Sequence, residues 1–278
     1  MKIAVDSFSF YKHFGKHWYV PSEPKDIKWY CKKCVELGVG GFHLDPYHYD
    51  LQKDMEWIGV FAEVNDLYVE LGACGTTPDE LIPYINAASK IGCRVVRTFV
   101  GGSCLDGRGE TSARAVTARG NLQKVIPYAE NADVRIAVEN HGDIFIEDMK
   151  YILNLDSDCI GMCYDSGNFA FTGEDPVGAI EIFADRIICT HLKDVCPASS
   201  IPGEKPFETI GKPVHFCALG EGMLPLDRIF RLLQTSGIDR VTLEICTSVI
   251  DGISEKKQLE KEMDAVASSL GYIRNELK

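Results

Sequence analysis

Four residues in the second half of the chain have the types and spacing to hold a metal ion and move a proton. They are Glu139 in RIAVENHG, Asp165 in IGMCYDSGN, His191 in IICTHLKD and Glu244 in RVTLEIC. Each ends a short apolar or β-branched run, the pattern of a buried strand. Three carboxylates and an imidazole form a hard, oxygen-rich set that suits Mn2+ first, with Mg2+ or Co2+ acceptable, rather than a thiolate-seeking metal. A cation held by such a set can stabilise negative charge as it develops on a bound oxygen. The competing reading of the same four residues is a salt-bridge network, which must explain why they occupy equivalent positions on successive strands.

Further polar residues flank these run ends. His141 shares the face of Glu139 and is either a base or substrate contact, or a hydrogen-bond partner of a ligand. Lys193 shares the face of His191 and either binds a substrate oxygen or anion, or pairs with an acid. Arg97, near the end of RVVRTFV, either holds a sugar hydroxyl or phosphate, or pairs with a neighbouring carboxylate. His13 and His17 read as loop histidines rather than metal ligands.

The elements that must position these groups follow from parity and spacing. Counting back two from each ligand gives Ala137, Cys163, Cys189 and Thr242, all small, whereas Val138, Tyr164, Thr190 and Leu243 take the other face. Small residues beneath ligands, with bulkier ones opposite, fit a closed parallel barrel filled in layers, its site at the carboxyl ends of the strands. Glu139 to Asp165 is 26 residues and Asp165 to His191 is 26 again, one strand and one helix per step. At 278 residues the chain is close to the ~250 typical of a (β/α)8 barrel, so the expectation is one α/β barrel domain over residues 1–278.

Taken in order, Ile3 to Asp6 is a strand, and FSFYKHFGKHWYVP reads as a loop over the mouth. There Phe14, Trp18 and Tyr19 either cover a ligand or form a subunit contact. Helices are expected at Asp26 to Leu37, Leu51 to Val64, after the Thr77 N-cap with Pro78, Thr111 to Ala132, Ile146 to Leu155, from Pro176, in GMLPLDRIFRLLQTSG, and along the stripe Leu259, Met263, Val266, Leu270, Ile273 and Leu277. Cys196 to Gly222 is one long Pro- and Gly-bearing connection that should hang over the site.

A net charge of -12 without a long basic run argues against a nucleic-acid partner. No apolar run approaches the length of a membrane span, and MKIAVDSFSF lacks a signal-like core, so a cytoplasmic protein is expected. The eleven cysteines, scattered through apolar strands, read as small core residues, and the lone Cys31 and Cys34 CxxC as helix packing. The expected partners are a small carbohydrate substrate and, in addition, a second copy or a partner subunit.

The motifs ENHG, YDSGN, THLKD, LGEG and TLEIC resemble those of the sugar phosphate isomerase/epimerase family, the xylose-isomerase-like TIM barrels. The resemblance covers nearly the whole chain. It implies one divalent metal held by Glu139, Asp165, His191 and Glu244, with Glu139 and Glu244 exchanging protons with a sugar, as in the ketose 3-epimerases. Three departures point away from a plain free ketose. Asn168 stands where many members have histidine, and Phe145 and Pro197 stand where the free-ketose epimerases have a glutamate and an arginine. Asn168 then falls among the substrate contacts with Lys193 and Arg97, and His141 joins the catalytic set. The expected activity is a sugar isomerase or epimerase. The alternative is a lyase of the inosose dehydratase or C-glycoside deglycosidase type, and the remaining branches are an abasic-site endonuclease and a non-catalytic sugar-binding subunit.

Overall fold

The alternation of apolar runs and amphipathic segments closes into a parallel barrel in the computed structural model, which describes residues 1–200 and 206–277. In chain order the strands are β1 (Lys2–Asp6), β2 (Gly41–Leu44), β3 (Tyr68–Gly72), β4 (Val95–Thr98), β5 (Arg135–Glu139), β6 (Ile160–Asp165), β7 (Ile187–Leu192), β8 (Asp194–Pro197), β9 (Val214–Cys217) and β10 (Arg240–Leu243). All but β8 and β9 pair in the cyclic order β1, β10, β7, β6, β5, β4, β3, β2, so this sheet has no free edge. The helices are α1 (Tyr11–Phe14), α2 (Ile27–Glu36), α3 (Met55–Val64), α4 (Pro78–Lys90), α5 (Arg108–Ala132), α6 (Ile146–Leu153), α7 (Phe169–Thr172), α8 (Pro176–Phe183), α9 (Leu226–Thr235) and α10 (Glu255–Glu276). This is a (β/α)8 TIM barrel.

The two faces of the strands separate as their parity requires. Val95, Ala137, Cys163, Ile188 and Cys189 form a small cluster inside the barrel. Val96, Ile136, Val138, Met162, Tyr164 and Leu243 belong to the larger core that includes the buried stripes of the helices. One irregularity adjusts the register: β6 and β7 pair Met162 with Ile187 but Cys163 with Cys189, so β7 carries an extra residue. Gly161 sits at this bulge because a Cβ there would come within 2.4 Å of the Arg186 carbonyl oxygen.

Capping chemistry sets several helix starts. Thr77 accepts a bond from Glu80 N–H, and the Glu80 carboxylate returns to Thr77 N–H at 2.9 Å, with Pro78 at the first helical position. Cys31 and Cys34 are fully buried on α2, and all eleven cysteines are free thiols.

Four expectations are corrected. The aromatic stretch after β1 is not all loop: Ser7–Phe10 is a 3-10 turn capped by Asp6, which accepts Phe8 N–H, and it runs into α1 before Gly15 ends it at φ 69°. These short turns form where Phe10, Tyr11 and Phe14 are buried. The connection from Cys196 to Gly222 is not irregular throughout, since β8 and β9 pair antiparallel within it; its residues 201–205 lie outside the described residues. Helix α3 begins at Met55 rather than Leu51, because Asp50 and Asp54 bond locally in a turn, and the short α7 was not anticipated.

Candidate active site

Glu139 and Asp165 are the last residues of β5 and β6, His191 is the penultimate residue of β7, and Glu244 follows β10 directly. Asp165 and His191 are register partners, and Glu244 N–H donates to the Leu192 carbonyl, extending the β7 to β10 pairing past the strand end. Neighbouring polar side chains continue the ladder where the backbones diverge. Asn140 Nδ2 donates to the Asp165 carbonyl at 2.9 Å while its Oδ1 accepts Asp165 N–H at 2.8 Å. Ser166 Oγ donates to the Lys193 carbonyl and accepts Lys193 N–H. Asp194 accepts the N–H groups of Gly220, Gly222 and Leu224, fixing the LGEG turn. Gly142 has φ 80°, and a Cβ there would meet the Phe171 ring at 2.6 Å, so the chain can turn sharply after His141.

The four expected ligands are brought together. One donor atom from each of Glu139, Asp165, His191 and Glu244 lies within 4.8 Å of the others, and none of the four residues is more than 4 % exposed. His191 Nδ1 is 2.6 Å from Glu244 Oε2 and 3.8 Å from Glu139 Oε1, and its Nε2 faces Asp6 Oδ2 at 3.8 Å. Asp165 spends Oδ1 on the Gly167 and Asn168 N–H groups and leaves Oδ2 for the cage. Glu139 Oε2, Asp165 Oδ2, His191 Nδ1 and Glu244 Oε2 are buried without a well-formed hydrogen bond among the described residues. Three carboxylates converging on one imidazole are a donor set that fits a divalent cation.

Three auxiliary residues also converge. Arg97 Nε pairs with Glu139 Oε2, the acid-paired reading of this arginine. Asn168 Nδ2 donates to Glu139 Oε1 at 2.9 Å and so orients one of the four expected ligands. Lys193 Nζ lies 2.8 Å from Asp165 Oδ2, 2.7 Å from Glu244 Oε1 and 3.9 Å from Glu139 Oε1. Here its ammonium is the local counter-charge of the cage, the acid-paired reading again.

The charges shape the protonation states. Burial pushes the Glu139 carboxyl up, but Arg97, His191 and Lys193 together hold it well below the usual carboxylate range. Burial acts on Glu244 in the same way and is outweighed by Lys193 and His191. Asp165 is pushed up to about 7 by burial, which Lys193 only partly offsets. The His141 ring stacks on Phe99 with centroids 4.2 Å apart, and burial lowers its pKa, so it is a neutral base near pH 7.

Beneath the cage is a polar layer that the motifs did not reveal. His43 Nε2 is 3.8 Å from Asp6 Oδ2, its Nδ1 is 3.7 Å from Glu70 Oε2, and Thr242 Oγ1 donates to Glu70 at 3.2 Å. The signal was present in sequence as a titratable residue within each of β1, β2 and β3: Asp6, His43 and Glu70. Asp6, His43 and Glu70 are register partners on the neighbouring strands β1, β2 and β3, so it is the pairing of these strands that brings them together. His13 is buried against Glu262, its Nδ1 2.5 Å from Oε2, and is no ligand of the cage.

Above the cage opens a cavity of about 340 Å³. Arg97, His141, Asn168, Lys193 and Glu244 line it, and Glu139 does not. Its outer wall is aromatic, with Phe8, Trp18, Tyr47, Phe99, Phe207 and Phe216. Of the expected cover, Trp18 reaches the cavity, whereas Phe14 is buried and stacks on His48.

A family profile described as xylose isomerase-like TIM barrel matches residues 77–270. The 3-oxo-isoapionate decarboxylase of Pectobacterium atrosepticum is 24 % identical over 238 residues, 84 % of this chain and 81 % of the relative. An inosose dehydratase of Clostridium botulinum is 25 % identical over 234 residues, 78 % of this chain and 72 % of the relative. The structure of D-psicose 3-epimerase with D-tagatose from Clostridium cellulolyticum H10 superposes with a TM-score of 0.71 over the full length of both chains at 13 % identity, a likeness of fold.

Proposed function

The chain belongs to the xylose isomerase-like TIM barrel family, and we propose that it is a divalent-metal-dependent enzyme that removes a proton beside a carbonyl of a sugar or sugar derivative, giving an isomerised or epimerised product. The observation that carries this reading is the convergence of Glu244, His141, Lys193, Arg97 and Asn168 on one cavity, which Glu244 joins to the four-residue cage. Glu139, Asp165, His191 and Glu244 would hold the metal, Mn2+ first, and when bound it supplies the positive charge that stabilises negative charge developing beside the carbonyl.

The two glutamates are not equivalent. Glu244 lines the cavity and is held ionised, so it is the residue placed to take a proton from substrate. Glu139 is held behind Arg97 and Asn168, which suits it to fix the cage and to receive a proton only if substrate reaches past Arg97. His141, neutral and facing the same cavity, can return the proton to the opposite side. Lys193 and Arg97 present donors to substrate oxygens, and the aromatic wall excludes water.

A lyase is the second reading. The decarboxylase and dehydratase relatives favour it, as do Phe145 and Pro197 at positions where free-ketose epimerases carry polar contacts. Both readings share the first proton transfer, so product analysis separates them.

The test is turnover of a panel of ketoses, inososes and 3-oxo-glycosides in deuterated water. Glu244→Gln is expected to lose turnover and deuterium incorporation by at least ~10²-fold, the lower end of general-base effects. Glu139→Gln should retain exchange at the carbon beside the carbonyl while slowing product formation. Metal-dependent product without solvent deuterium at that carbon would contradict a freely exchanging base.

A further inference from the structure

We propose that His17, Asp45 and His48 form a second divalent-cation site, of the zinc or cobalt class, on the wall of the same cavity. One donor atom from each of the three side chains lies within 4.8 Å of the others, and His17 Nε2 is 3.8 Å from Asp45 Oδ1. His17 follows α1, while Asp45 and His48 follow β2, so the set is outside the cage at the ends of β5, β6, β7 and β10. Two imidazoles and one carboxylate with open positions are the donor number and type of a catalytic zinc site, and nitrogen-rich ligation separates this set from the carboxylate cage.

The side chains are held in place by their neighbours. Ser7 Oγ accepts Asp45 N–H at 2.8 Å and is 2.9 Å from His48 Nδ1, so one hydroxyl orients two of the three residues. The His48 ring lies flat on Phe14, with centroids 3.9 Å apart and planes 3° apart. The Ser7 hydroxyl occupies Nδ1, and Nε2 is buried without a hydrogen-bond partner among the described residues. An unpaired buried polar atom is unfavourable, and a bound cation would satisfy it. His17 adopts a left-handed φ of 61°, and its ring is held edge-on by Phe8 and Tyr47 at 4.8 and 5.4 Å. Burial lowers the pKa of both imidazoles, keeping them in the neutral form that binds metals. The sequence alone had read His17 as a loop histidine; what changes the reading is that the chain brings Asp45 and His48 beside it. Asp45 and His17 line the cavity, so a cation here would contact the part of a substrate remote from the cage.

The experiment is Co2+ equilibrium dialysis of the full chain with metal counting and visible absorption, on wild type, Asp165→Ala, His17→Gln and His48→Gln. Wild type should hold two equivalents, Asp165→Ala one, and His17→Gln one. His17 is on a turn and its replacement does not threaten folding, which guards against a failure of His48→Gln to fold; circular dichroism checks both. Wild type with one equivalent that is kept in Asp165→Ala and lost in His17→Gln would support the second site and sink the carboxylate cage. Stoichiometry unchanged between wild type and His17→Gln overturns the second site, as does thiolate-to-cobalt charge-transfer absorption in place of a nitrogen and oxygen spectrum.

Discussion

Lys193 Nζ lies 2.8 Å from Asp165 Oδ2 and so takes, within the four-residue cage, a place that a metal cation would contest. Each charge-assisted contact it makes is worth about 1.5–3 kcal/mol, and a cation binding there must displace or share them. Lys193→Met is therefore expected to tighten metal binding at the cage by about tenfold or more while lowering turnover through loss of a substrate contact. Isothermal titration with Mn2+ reads the first effect and steady-state rates the second. Weaker binding by the variant would show that the ammonium supports the cage rather than competing for it.

His43 gives the barrel a pH-dependent stability. Burial lowers its pKa to about 4, against about 6.5 for a free histidine. As pH falls through that window the unfolded chain takes up a proton that the folded chain resists, so stability is full above about 6.5 and is lost on acidification toward 4. The loss from this one group at pH 5 is about 2 kcal/mol. His43→Gln should flatten the slope between pH 7 and 5 by that amount in urea titrations with chelator present. Because the buried Asp6 carboxyl has a raised pKa, which acts in the opposite direction, the quantity to compare is the difference between variant and wild type. Parallel wild-type and variant profiles would exclude His43 as the source.

Two segments at the mouth meet through aromatic rings. Trp18 and Phe207 pack edge to face with centroids 5.9 Å apart, although Trp18 is 60 % exposed, and Phe207 in turn packs on Phe216 at 5.1 Å. Phe8 to Pro21 and the described part of Cys196 to Gly222 should thus become protected together when a substrate fills the cavity. Hydrogen exchange with and without a saturating ligand checks this, and protection confined to one segment would show that they do not close as a unit. Trp18→Ala is expected to raise KM several-fold with a smaller effect on kcat.

Much of the site was legible in the chain because strand parity and strand ends are local properties. The period of two placed Ala137 and Cys163 beneath Glu139 and Asp165, and both smaller residues now lie in the cluster inside the barrel. The apolar runs ended where the strands end, so the four cage residues could be picked out together with their motifs. The helix starts at Asp26, Thr77 and Pro176 were equally readable, since a cap acts within one turn.

What the tertiary structure decided was partnership. Arg97 and Lys193 each had an acid-bound and a substrate-bound reading, and the stagger of the strands sets Arg97 against Glu139 and Lys193 against Asp165 and Glu244. Asp6, His43 and Glu70 became one buried layer, and His17 joined Asp45 and His48, through contacts between separate strands and loops. The physical reason is that parity is set residue by residue along a strand, whereas the pairing of charges across a barrel depends on its shear and on where the loops fold back, and those are properties of the closed sheet as a whole.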